Sequence, residues 1–312
     1  KNSDFKFVFN SYAGVQETSR YIPLLNATEY GLLANEAFAA NGGSLPYPNV
    51  SGLGQGTNWQ EEVFQNALIS SSDINITKGT EKGAYGFSAS YLDQDGIVGL
   101  GKSNFNRFTT RFNVNYDILD NLKLTSSVIY TNTNKKGLPE NVLGSVLFNA
   151  LNFAPTLSVF DENGDYTLTP ADGFGSEVIN PLAQIAASSN NTEVNKIAPT
   201  VGLNYKFLKN FSADVKFQYN YANVNSRTFN TINTFGESTT VFDNLNTSLS
   251  NYKVAYEDYI FDAYINFEKN FSDVHDVKVL LGTSISKSTF HNKINIAGFD
   301  IVDGNLDSNI LD

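Results

Sequence analysis

The stretch of this 312-residue chain that looks most like chemistry is Asp161-Glu162-Asn163-Gly164-Asp165. Spaced carboxylates of this kind can gather a calcium ion, in a loop that needs glycine at its sixth position and a bidentate acid at its twelfth. Here Gly164 falls fourth, Tyr166 sixth and Asp172 twelfth. Asn163-Gly164 is instead a strong turn signal, so the stretch predicts a small hairpin. His275 and His291 have no carboxylate or imidazole at ligand spacing in sequence and read as surface residues, not metal ligands. The chain has no Cys, hence no disulfide, thiolate metal site or thiol nucleophile. No GxSxG, HExxH or phosphate-binding loop occurs, and the 32 scattered carboxylates single out no acid–base pair. The sequence predicts no catalytic, cofactor-binding or metal site.

Two other residues have a spacing that matters. Arg107 and Arg111 lie on one parity of the run from Phe105 to Tyr130, together with Thr109, Asn113 and Asn115. Phe108, Phe112, Val114, Tyr116 and Ile118 lie on the other. Asp120-Asn121 then turns the chain into a second alternating run. Ordinary strands run about 5–6 residues, so a hairpin this long, greasy on one face and wet on the other, suits the wall of a transmembrane β-barrel. In that setting Arg107 and Arg111 are candidate lumen-facing residues. Two roles stay open for them: pairing with carboxylates inside the barrel, or touching a passing substrate.

Composition agrees. Mean hydropathy is −0.23 and no apolar run approaches the length of a spanning helix. Alternating strands keep that average polar even in a membrane barrel. The 24 Phe and 16 Tyr dominate an aromatic content of 13%, and charged residues make up only 17%. A net charge of −11 argues against nucleic acid as a partner. There is no Met, even at position 1, and no signal peptide, so the chain reads as an internal or mature piece.

Alternating strands are expected near 4–13, 73–78, 84–92, 104–134 (a hairpin), 194–207, 211–227, 253–269 and 276–290, about nine in all. Helical segments are expected at 27–40 with Asn26 as N-cap, at 58–64, at 139–152 with Pro139 at the start, and at 181–187. The last twenty residues read as the start of another loop. Short connections (79–83, 118–121, 208–210, 271–275) alternate with long ones (14–69, 93–103, 135–192, 228–252). Outer-membrane barrels sort their connections this way, short turns toward the periplasm and long loops outside. Tyr116, Phe207, Phe211, Phe267 and Phe271 flank three of the short turns on the apolar parity, which predicts a periplasmic-side aromatic girdle. An odd strand count cannot close a bacterial barrel. The whole of 1–312 therefore reads as an all-β, antiparallel sector of a larger transmembrane β-barrel.

The order of short tags resembles one family. The tags are Leu24-Leu25-Asn26-Ala27-Thr28-Glu29-Tyr30 with Asn35-Glu36-Ala37, Thr57-Asn58-Trp59-Gln60-Glu61-Glu62-Val63-Phe64, and Gly79-Thr80-Glu81-Lys82 with Tyr91-Leu92-Asp93-Gln94-Asp95-Gly96-Ile97. They continue with Phe105-Asn106-Arg107-Phe108, Arg111-Phe112-Asn113, Ala154-Pro155-Thr156, Val159 to Tyr166, and Asn180-Pro181-Leu182-Ala183. Together they resemble the SusC/RagA class of TonB-linked outer-membrane transporters of Bacteroidetes. The resemblance implies a barrel of about 22 strands with a plug, of which this chain is the first part of the wall without the plug. It implies a SusD-like surface lipoprotein as partner, with the long loops 14–69 and 135–192 as its best contact sites. It also implies TonB-ExbB-ExbD acting through the plug, and a glycan or peptide substrate. A secreted all-β glycan-binding protein and a passive porin are the alternatives.

Overall fold

The computed structural model describes residues 2–139, 143–171, 178–238, 242–272 and 274–299. Asp172, Asp273, residues 140–142 of the expected third helix and residues 300–312 of the expected last loop lie outside them.

Nine strands form one antiparallel sheet in sequence order: β1 (Lys6–Gln16), β2 (Ala67–Gly79), β3 (Gly83–Asp95), β4 (Asn104–Leu119), β5 (Leu122–Lys136), β6 (Ser188–Leu208), β7 (Phe211–Asn230), β8 (Ser248–Phe271) and β9 (His275–Phe299). Each strand pairs with its successor, the simplest path for a chain with tight turns at one end. The strands run further than alternation of apolar residues foretold. β8 reaches 24 residues and β9 reaches 25, so residues 293–299 continue a strand where a loop was expected. The apolar signal stops short because the outward side chains turn polar while the hydrogen-bond ladder goes on.

Four helices sit in the long connections: α1 (Ala27–Ala40), α2 (Trp59–Val63), α3 (Val146–Asn152) and α4 (Pro181–Ala187). Their starts follow local chemistry. Asn26 and Glu29 form a reciprocal capping box, with Glu29 N donating to Asn26 Oδ1 at 2.9 Å and Asn26 N donating to Glu29 Oε2 at 3.0 Å. Asn180 caps α4, with Pro181 at its first position. The third helix is shorter than expected. Gly144 holds φ +76, which breaks a helix, and Ser145 caps the restart at Val146.

The buried apolar cluster is not in the sheet. Trp59, Val63, Leu138, Val146, Ala150, Phe153, Leu182 and Ile185 form it, all from the long connections or from residues beside them. The sheet instead exposes large apolar side chains along its length, among them Phe9, Phe112, Val201, Phe217 and Ile285.

Candidate membrane belt and loop cap

Directly opposed residues of antiparallel strands share a face, so register shows which side chains line up. One file runs Phe87, Phe112, Val128 across β3, β4 and β5. Another runs Leu124, Leu203, Val215, Ala263 across β5 to β8. A third runs Phe217, Phe261, Ile285 into β9. Phe7 opposite Ile76, and Ile76 opposite Phe87, carry the same face back to β1. The result is a continuous apolar belt, as wide as the sheet.

Aromatics mark the belt's edge at the short turns. Phe207 lies 5.9 Å from Phe211, and Phe211 lies 4.8 Å from Phe267, centroid to centroid. Phe207 also sits 6.1 Å from Tyr205, and Tyr116 lies 6.5 Å from Tyr85. Phe271 carries the Lys269 ammonium 4.6 Å over its ring. All five residues singled out in sequence therefore stand beside short turns, four of them in ring contacts and Phe271 under a cation.

A second edge, which sequence reading missed, lies toward the long loops. On the belt face the last apolar residue and the next outward one are Tyr91 and Asp93 on β3, Phe108 and Asn106 on β4, and Tyr130 and Asn132 on β5. They are Ile197 and Asn195 on β6, Tyr221 and Asn223 on β7, Tyr259 and Glu257 on β8, and Ile285 and Lys287 on β9. The signal was available as an apolar residue, mostly aromatic, two positions from an Asn, an acid or a Lys, repeated on seven strands. The Tyr130 hydroxyl donates to Asn195 Oδ1 at 2.8 Å, and that of Tyr219 to Glu257 Oε1 at 3.0 Å. Both hydroxyls reach from the belt into the polar side. This edge does not follow the hydrogen-bond rows. Tyr91 and Phe108 share one row, Tyr130, Ile197 and Tyr221 the next, then Tyr259, then Ile285. From β3 to β9 it therefore drifts ~20 Å along the strands over ~29 Å of sheet, a slope of about 35°. Barrel strands tilt by about that angle to the membrane normal.

The opposite face is polar. Arg107 and Arg111 lie on it, exposed, opposite Leu92 and Thr133, and Ser88 and Ile129, respectively. Neither makes an ion pair among the described residues. Near the short turns this face holds a recess of about 550 Å³ lined in part by Lys123, Asn204, Asp214, Lys216 and Tyr264. Asp214 accepts from Asn204 at 2.7 Å and from Asn266 at 2.8 Å.

The long connections form a cap knitted by the tags themselves. Trp59 Nε1 donates to the Ala154 carbonyl at 3.0 Å, and its ring meets Phe153 edge-on at 5.0 Å. Thr57 N donates to Pro155 O at 2.9 Å and Thr57 Oγ1 to Leu157 O at 2.6 Å. Gly56 passes so close that a Cβ there would stand 2.1 Å from Pro155 O, at φ +69. The Gln60 amide holds Ile22 both ways, at 2.8 and 2.9 Å. Buried Asn149 donates to Gln184 Oε1 and accepts from Ile179 N, joining α3 to α4. Gln65 N donates to Ile97 O, fastening the β3–β4 connection to the same cap.

Asp161 closes its own turn: its Oδ1 accepts from Asn163 N at 2.8 Å and Asp165 N at 2.9 Å. Desolvation pushes this carboxyl up, but those backbone donors, the Asn163 amide and Gly164 N together hold it below its ordinary range. No group of metal-ligating side chains occurs among the described residues. His291 is exposed, and β8–β9 register brings its Nε2 to 3.7 Å from Glu257 Oε2, a neighbour far off in sequence. No helix among the described residues is long and apolar enough to cross a membrane, which says nothing of strands.

No protein-family profile matches the chain. It is similar to TonB-dependent receptor P3 of Formosa agariphila, at 24% identity over 290 residues, covering 89% of this chain and 26% of that one. It is also similar to TonB-dependent receptor SusC of Bacteroides thetaiotaomicron, at 26% identity over 219 residues, covering 64% and 21%. Its fold matches a solved structure of the RagAB peptide transporter with a TM-score of 0.72 at 16% identity, covering 98% of this chain and 38% of that one. In sequence and in fold the chain is similar to the SusC/RagA-like TonB-dependent receptors. It spans about a quarter of these two relatives' length. RagAB in its open-open state matches with a TM-score of 0.70, close to the 0.72 of the first structure. The nine-stranded sheet is an antiparallel sector of a transmembrane β-barrel, the fold it shares with the RagAB structures.

Proposed function

We propose that the chain is part of the wall of a TonB-dependent outer-membrane importer for oligosaccharides or other large nutrients. The observation that carries this reading is the apolar belt, bounded by aromatic rows at both edges and inclined at barrel tilt. The belt faces lipid; its lower row, from Tyr116 to Phe271, is the periplasmic-side girdle, and the short turns face the periplasm. The polar face, with Arg107 and Arg111, lines the lumen. The unpaired edges of β1 and β9 meet further strands of the same barrel, since a spanning sheet cannot leave its edges in hydrocarbon.

The loop cap is extracellular and supplies the contact for a SusD-like lipoprotein. Energy reaches the receptor from TonB-ExbB-ExbD through its plug. A sugar substrate is supported by a cavity of about 600 Å³ in the cap, between Tyr21–Asn26, Gln55–Gln60 and Ala150–Phe153. Aromatic rings and side-chain amides line it and no charged side chain does, which suits a neutral polyol. The second reading, peptide import, is favoured by the fold match to RagAB, itself a peptide transporter. No enzymatic step is assigned.

Deleting the gene and measuring growth on oligosaccharides and on peptides as sole nutrients tests the proposal. Loss of growth on one class names the substrate; unchanged growth on both defeats the importer reading. A receptor that stays soluble and monodisperse without detergent defeats the membrane placement and leaves the secreted glycan-binding protein.

A further inference from the structure

Above the upper aromatic row the strands continue, and their belt face is not that of a wall simply standing in water. Counting outward from the last apolar residue of each strand puts residues at equal height, whatever the tilt. The first level holds Asp93, Asn106, Asn132, Asn195, Asn223, Glu257 and Lys287. The second includes Asn134, Glu193 and Asn225, which lie in register across β5, β6 and β7. The third holds Lys136, Asn191, Arg227, Lys253 and His291, so three of its five residues are permanent cations on three different strands.

The lower levels are ordered by lateral hydrogen bonds. Asn132 donates to Asn195 Oδ1 at 2.8 Å and to Glu193 Oε1 at 3.1 Å, and Asn195 donates to Glu193 Oε1 at 2.9 Å. Asn104 donates to Asp93 and Asp95, both at 3.0 Å. Pre-ordered amides beside carboxylates offer donors and acceptors together, which sugar hydroxyls, themselves both, can use. Six residues along a strand at this tilt place the cation level ~17 Å above the belt edge. A phospholipid headgroup layer is only about 7 Å deep, so its phosphates cannot reach that level.

We infer that this collar is a recognition surface for an outer-leaflet glycolipid, with sugars against the amide levels and anionic groups against Lys136, Arg227 and Lys253. The inference rests on the membrane placement proposed above. The collar is continuous with the belt, so a lipid whose chains lie on Phe112 or Val128 presents its headgroup to the residues directly above.

The test reconstitutes the full-length receptor in vesicles of phospholipid and lipopolysaccharide, extracts it gently and measures co-purifying lipid by mass spectrometry. Expected is several-fold enrichment of lipopolysaccharide over its bulk share. That enrichment falls toward bulk in a Lys136→Ser/Arg227→Ser/Lys253→Ser variant and, for the wild type, with dephosphorylated lipopolysaccharide. Lys216→Ser on the opposite face leaves it unchanged. Heat-dependent gel migration confirms that each variant is folded, and Asn132→Ala/Asn195→Ala gives a second route if the triple variant is not. A receptor that inserts but carries lipopolysaccharide only at its bulk share, or equally in all variants, overturns the collar and leaves the membrane placement standing. A receptor that does not enter vesicles overturns both.

Discussion

The Tyr130 hydroxyl donates to Asn195 Oδ1 across β5 and β6 at 2.8 Å, at the line where the belt face changes from apolar to polar. The ring belongs to the belt and its hydroxyl to the collar. An amphipathic side chain takes this position where hydrocarbon gives way to headgroups. Tyr130→Phe keeps the ring and removes the donor. The expected loss is about 1 kcal/mol of unfolding free energy in vesicles, measured by urea titration, with Tyr130→Ala costing more.

Charge placed in the belt should be expensive only on one face. Val201→Lys, at the belt's middle, is expected to cost about 2–4 kcal/mol. Thr200→Lys, its neighbour on the other face, is expected to stay within about 0.5 kcal/mol. Equal costs at the two positions, in the same urea titration, would remove the distinction between lipid and lumen.

Trp59 ties the connection before β2 to the connection after β5. Trp59→Ala opens a void in the buried cluster and leaves the Ala154 carbonyl without its indole donor, an expected loss of about 3–5 kcal/mol from the cap. Hydrogen exchange should quicken in α2 and α3 while the middle of β7 stays protected.

Asn26→Ala removes one half of the capping box and should cost about 1 kcal/mol locally. Faster amide exchange confined to the first turn of α1 is the expected readout.

Helix starts and strand order were legible because they rest on local chemistry: Asn26 with Glu29, Asn180 with Pro181, and parity along β4 and β7. The cluster of aromatics at the short turns was legible because each adjoins a turn in sequence. The third helix was drawn too long at its start because apolar spacing continued through Gly144, whose backbone breaks it. The upper aromatic row was available strand by strand, but its common level was not; that level, the lateral bonds of Asn132 and the His291–Glu257 contact exist only once strands are in register. The tags held a further lesson. Thr57, Trp59, Pro155 and Asn180 look like a signature in sequence, and the structure shows them as the bonds that hold loops together.

The Asp161 turn should respond to acid with a definite sign. Its carboxyl titrates below the ordinary range in the folded chain, so its contribution is fully present above the ordinary carboxylate pKa of about 3.9 and fades as pH falls through the lower folded value. Exchange of the Asn163 and Asp165 amides should quicken over that window, and Asp161→Ala should abolish the pH dependence.

The absence of Cys makes the central claim open to direct measurement. Single cysteines at Val215, Lys216, Phe217 and Gln218, spin-labelled in vesicles, report which agent reaches each site. Membrane placement of the belt predicts preferential relaxation by lipid-soluble oxygen at 215 and 217 and by a water-soluble nickel chelate at 216 and 218. Four labels with the same preference, or the alternation reversed, would contradict it.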